Sequence, residues 1–133
     1  MKNKGFTLIE LLAVIVILAI IALIATPMIL GVIDTAKRGS AESSALGYVE
    51  AVEKSSLIAV IDEGNAFADG EYTVNGKTLT GTETYTIDYK GDTATGTLKI
   101  EGGQVTEAKL TFEKIHANEV TYTPATGAVI SES

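Results

Sequence analysis

Lys4-Gly5-Phe6-Thr7-Leu8-Ile9-Glu10-Leu11-Leu12 is the stretch around which the rest of the chain has to be read. Gly5 closes a short basic leader, Met1 to Lys4. From Phe6 to Ile33 a single residue, Glu10, carries a charge. Leu11 to Ala25 is an unbroken apolar run, and the run continues to Ile33 with only Thr26, Pro27 and Gly31 interrupting it. Twenty-three residues of helix span roughly 34 Å at ~1.5 Å per residue, the thickness of a bilayer core. A carboxylate at the centre of such a helix costs about 2.5–3.5 kcal/mol, and less near the interface. Glu10 therefore calls for a partner.

The totals divide at the end of that run. The 133 residues allow one globular domain beyond the apolar segment. Residues 34–133 carry eight basic and sixteen acidic side chains, a net charge of −8. A surface of that sign does not attract phosphates, so no nucleic-acid site is expected. With no cysteine there is no disulfide framework and no thiolate metal site. A secretory signal and a membrane anchor are both open from the basic start. The apolar run is longer than an ordinary signal core, and no Ala-x-Ala site with a polar sequel follows it. Lys2, Lys4 and the amino terminus outweigh Lys37 and Arg38, which Asp34 partly offsets. That bias places the N-terminus in the cytoplasm and the acidic part outside.

The pattern predicts a single helix from Phe6 to about Ile61. Ala19, Ala22 and Ala25 form a small-residue stripe suited to close helix packing. Pro27 lacks an N–H and crowds the preceding turn, so Pro27 and Gly31 are expected to break or loosen the helix. Further on, Ala45, Val49, Val52, Ser56 and Ala59 recur at helical spacing, with Leu46 and Val60 beside them. Glu42, Glu50, Glu53 and Lys54 fall on the other side. Gly64 is the expected terminator, in a left-handed cap.

After Gly70 the period changes to two. Asn75-Gly76, between Tyr72–Val74 and Lys77–Leu79, predicts a hairpin with a type I′ turn. Tyr85, Ile87 and Tyr89 alternate with polar residues, as do Gly96, Leu98 and Ile100, and then Ala108, Leu110 and Phe112. Gly102-Gly103 makes a turn between the last two runs, and Val120 with Tyr122 forms a final short strand before Pro124. The expected fold class is α+β. A long N-terminal helix packs its 45–60 stripe on an antiparallel meander of about four or five strands, which has one wet face. Residues 1–5 then form a leader, 6–33 an apolar helix and 34–133 a globular head.

Catalytic chemistry is thin. His116 stands alone and makes neither a metal site nor a nucleophile–base pair. No glycine-rich phosphate loop opens a helix. The turns at 62–64 and 91–93 carry oxygen ligands of the kind calcium takes, but acidic turns are ordinarily just solvated. No enzyme activity, cofactor or metal is expected.

Lys4 to Leu12, with a basic leader before it and an apolar run after it, resembles the class III signal of type IV pilins and their pseudopilin relatives. The resemblance is close over residues 1 to about 30 and architectural beyond, with Pro27 again in the family pattern. It implies that a prepilin peptidase cuts after Gly5 and N-methylates Phe6. The subunit then waits as a single-pass protein of the cytoplasmic membrane. The pilus assembly machinery next draws it into a filament of identical subunits, with the heads outward. Many pilins of Gram-negative bacteria close a C-terminal disulfide loop. The absence of cysteine resembles instead the pilins of Gram-positive bacteria such as clostridia.

In that setting cleavage creates an amine on Phe6, one helical turn from Glu10. Between neighbouring subunits, in surroundings of low dielectric, the two charges relieve each other's desolvation. Apolar surfaces slide, whereas a buried charge pair fits one offset. Glu10 and Phe6 are therefore the expected assembly contact; an intrachain contact or a protonated Glu10 would also account for the charge. The resemblance implies a major pilin of a surface pilus serving adhesion, aggregation or motility. A pseudopilin of a secretion or competence system is the alternative within the family. A monomeric membrane-anchored binding domain is the alternative outside it, and leaves Gly5, Phe6 and Glu10 unexplained.

Overall fold

The structure, a computed structural model, describes residues 7–131. Its contacts divide the chain into two units between Ala36 and Lys37. One helix, α1 (Leu8–Glu63), is followed by seven strands: β1 (Gly70–Asn75), β2 (Thr78–Thr80), β3 (Thr84–Thr86), β4 (Thr95–Glu101), β5 (Gln104–Phe112), β6 (His116–Thr123) and β7 (Gly127–Ile130). The fold is α+β, a long N-terminal helix packed on an antiparallel sheet, consistent with a pilin fold.

The expected break at Pro27 and Gly31 is absent, and α1 is helical through both. Pro27 removes one donor, and the long flanks on either side hold the helix across the gap. Two hydroxyls add bonds nearby: Thr26 Oγ1 donates to the Ala22 carbonyl at 2.6 Å and Thr35 Oγ1 to the Gly31 carbonyl at 3.0 Å. At its far end the helix stops as expected. Gly64 takes a φ of 86° and its N–H bonds the Val60 carbonyl at 3.0 Å.

Between residues 41 and 56 the helix buries Ala41, Ala45, Tyr48, Val49, Val52 and Ser56, a stripe at spacings of three and four. The stripe covers the inward residues of the sheet, among them Tyr72, Leu79, Leu98, Ile100, Leu110, Phe112 and Val120. At roughly 1.5–3 kcal/mol for each large apolar side chain removed from water, this core is the head's main source of stability.

The sheet has seven strands rather than four or five, in the order β3-β2-β1-β4-β5-β6-β7. Two features account for the difference. Pro124 ends β6 but does not end the sheet, because the turn that follows feeds β7 back along β6, with Val120 opposite Ile130. Nor is the sheet a simple meander. β4 returns to lie beside β1, so β1 to β4 form a Greek key. The returning segment carries Ile87 and Tyr89, buried but outside any strand. It passes around the β1–β2 turn and bonds it twice, Ile87 N–H to the Lys77 carbonyl and Gly76 N–H to the Ala94 carbonyl, each at 2.8 Å.

That turn also sits one residue later than expected. Asn75 pairs with Thr78, so the loop is Gly76-Lys77, and of the two only Gly76 has positive φ. A glycine at the first loop position alone is the type II′ pattern, not type I′. The β4–β5 loop does need positive φ twice and has a glycine at each place, Gly102 and Gly103. A register shift between Lys99 and Ile100 pairs Ile100 with Val105. This bulge lets both Val105 and Ala108 face the core despite their odd spacing.

Candidate functional site

α1 begins with a sequence that caps itself. Thr7 precedes the first helical residue, and its Oγ1 accepts the Glu10 N–H at 3.1 Å while its carbonyl accepts the Leu11 N–H at 3.1 Å. Thr7-Leu8-Ile9-Glu10 is therefore the Ser/Thr-x-x-Glu pattern of a capping box, with Glu10 at its third helical position. A threonine cap contributes about 1 kcal/mol. A carboxylate in the first turn adds roughly 0.3–1 kcal/mol by facing the positive end of the helix dipole. Thr7 was missed in the sequence, although the spacing to Glu10 is the signal that finds it. Gly5 and Phe6 lie outside the described residues.

Beyond the cap, α1 is long and apolar enough to cross a membrane, and none of that window is buried. Leu8 is 85 % exposed and Leu23 76 %. Gly31 opens a shallow apolar groove of about 660 Å³ with Met28, Val32, Thr35 and Ala36. A solvated protein does not hold so many aliphatic side chains in water, and a surface of this kind requires lipid or another protein around it.

Residues 1–26 match a family model described as the prokaryotic N-terminal methylation motif. The chain carries a type IV prepilin-like signal. No curated protein and no solved structure matches it. The motif implies processing by a prepilin peptidase and handling by pilus assembly machinery. It belongs to structural pilin-type proteins, not to an enzyme family. With the apolar helix it points to membrane anchoring followed by entry into a filament.

The head assembles no comparable cluster. His116 opens β6, and its Nδ1 accepts the Asn118 N–H at 3.1 Å. Among the described residues no three His, Cys, Asp or Glu side chains are grouped to hold a metal. The turns at 62–64 and 91–93 therefore stand apart as ligand sets, and a buried Asp92 Oδ2 has no hydrogen-bond partner. The tyrosines are structural. Tyr48 donates to the Gly76 carbonyl at 2.7 Å and meets the Tyr89 ring edge-on at 4.9 Å. Burial raises the Tyr48 phenol well above the usual tyrosine value and pushes Tyr72 up to about 12.

Two acidic residues assigned to the helix's outer face have structural partners. Glu42 Oε2 accepts the Ile130 N–H at 3.0 Å, and Glu53 Oε2 accepts the Val105 N–H, at the bulge, at 3.0 Å. Ser55 Oγ takes the Asp88 N–H at 3.3 Å, just past β3. The helix thus supplies acceptors at the β7 edge of the sheet, at its irregular point and to the segment just past β3. Arg38 donates to the Ser131 carbonyl at 3.3 Å and ties down the end of β7.

Proposed function

We propose that this chain is a structural subunit, the major pilin, of a type IV pilus. Prepilin peptidase cuts after Gly5 and methylates the new amine of Phe6. The processed subunit rests in the cytoplasmic membrane through residues 6–33. It then joins a helical surface filament of identical subunits used for adhesion, aggregation or motility. The observation that carries this reading is the methylation motif at residues 1–26, which runs into a helix whose apolar side chains have no cover among the described residues.

Glu10 has a specific part in that assembly. It stands in the first turn of α1, where its backbone N–H bonds Thr7 Oγ1. Removal of the leader then creates a cation on Phe6. Pairing Glu10 of one subunit with the amine of its neighbour compensates two desolvated charges at once. The local cap and the assembly contact are compatible, because the cap uses the Glu10 backbone N–H and leaves the carboxylate to the assembly contact. On assembly Pro27 and Gly31 are the positions at which α1 opens, since Pro27 has already withdrawn one ladder donor.

Negative-stain microscopy of cells overproducing the chain tests the reading. Long surface fibres labelled by antibody against the head are expected. Short, envelope-confined filaments would assign it to a pseudopilus, and a processed chain that never polymerises would contradict the proposal.

A further inference from the structure

The head leaves one cluster of large aliphatic side chains in water. Leu57 and Ile61, one turn apart near the end of α1, are 62 % and 77 % exposed, and Ile58 and Val60 beside them are also exposed. The cluster ends in Asp62 and Glu63, both exposed and, among the described residues, without an ion pair. Apolar clusters with a charged rim mark contact surfaces.

We propose that this patch is a contact between copies of the chain. It lies against the Ile29–Lys37 segment of α1 in a second copy, with Asp62 beside Lys37. The inference rests on the filament reading above and adds a register to it. Three observations select this occupant. First, Ile29 and Ile33 are exposed aliphatics on one helical face, and Lys37 follows on that face at the same four-residue spacing. Second, Lys54, Ile58 and Asp62 repeat the spacing on the patch. A parallel alignment sets Ile58 on Ile33 and Asp62 beside Lys37, whereas an antiparallel one sets Asp62 against Ile29. Third, the charges are complementary. Lys37 is exposed and has no ion pair among the described residues, and it closes the long apolar helix with the sign opposite to that of Asp62.

The aliphatic faces supply the attraction and the charges choose the direction. An exposed ion pair adds little affinity, but a slip of one turn puts the carboxylate on Ile33 and strands both charges. The alignment staggers this pair of copies, a different pair from the one joined by Glu10 and Phe6, by the twenty-five residues between Lys37 and Asp62, about 37 Å of helix at ~1.5 Å per residue.

The natural chain has no cysteine, so a pair can be introduced without background. Full-length chain carrying Lys37→Cys and Asp62→Cys is expressed in cells, oxidised, and run without reductant. A ladder of cross-linked multimers is expected, and either substitution alone gives none. As a second arm, Lys37→Asp lowers fibre yield several-fold and Asp62→Lys in the same chain restores it. Fibres that form normally without the ladder, or a charge reversal without effect, overturn the pairing and leave the patch to lipid or another partner. Failure of the unsubstituted chain to form fibres overturns the filament reading itself, and this register with it.

Discussion

The two halves of this molecule solve the same problem in opposite ways. From Lys37 onward the chain buries its own apolar surface: α1 presents a stripe from Ala41 to Ser56 and the sheet covers it. From Leu8 to Ile33 the chain buries almost nothing, and its aliphatic side chains stand exposed on every side of the helix. One helix serves both halves, and only the pattern of its side chains changes. A stripe at spacings of three and four can be satisfied from within, whereas an all-round apolar surface needs surroundings that the described residues do not supply. The head is a folded domain, and the N-terminal segment is a helix long and apolar enough to cross a membrane.

Substitutions can separate the two halves. The largest effect is expected from Gly5→Leu. It leaves the leader attached, seen as an unshifted band and mass, and abolishes fibres while the head folds normally. A processed Gly5→Leu chain would contradict the cleavage assignment. Next is Glu10→Ala. Removing one member of a buried charge pair costs about 3–5 kcal/mol per contact, so fibre yield falls by orders of magnitude. Leader removal and the thermal midpoint of the head stay unchanged. Fibres at normal yield would show that the pairing with Phe6 is not needed.

The reverse test strikes the head alone. Phe112 is fully buried, and Phe112→Ala is expected to cost about 3–5 kcal/mol in chemical denaturation without slowing leader removal. Ser56→Ala is milder. It strands the buried Phe67 N–H, which Ser56 Oγ accepts at 2.9 Å, at a cost of about 1–3 kcal/mol. Alkaline pH gives the smallest change near neutrality. All five tyrosines lie in the head, and burial raises Tyr72 from 10 to about 12. A raised folded value favours the neutral phenol, so this contribution is whole below pH 10 and is lost as pH climbs toward about 12. The near-ultraviolet signal of the head should fade over that window while the helical signal of the tyrosine-free N-terminal segment persists.

Legibility in the sequence followed how local each signal is. Gly5, Phe6 and Glu10 stand out because a lone carboxylate at the mouth of an apolar run is hard to miss, and the family model matches the same stretch. The buried stripe at Ala45, Val49, Val52 and Ser56 was also legible, since helical spacing shows within a few turns. β7 was not. Gly127 to Ile130 is short, follows Pro124, and is defined by its pairing with β6 rather than by alternation. Ile87 and Tyr89 alternate like a strand yet belong to the Greek-key return, because the buried positions they fill lie beside the β1–β2 turn. Glu42 and Glu53 read as solvated charges, and only the fold brings backbone donors to them. The continuity of α1 through Pro27 follows from its long helical flanks, which residue propensities do not weigh.

The central claim is that the N-terminal segment is completed by chemistry after synthesis. The most direct measurement is the intact mass of the chain extracted from membranes or sheared fibres. The account predicts the loss of Met1 to Gly5 and the gain of one methyl group. A chain that keeps all 133 residues, or one cut at another bond, would contradict it.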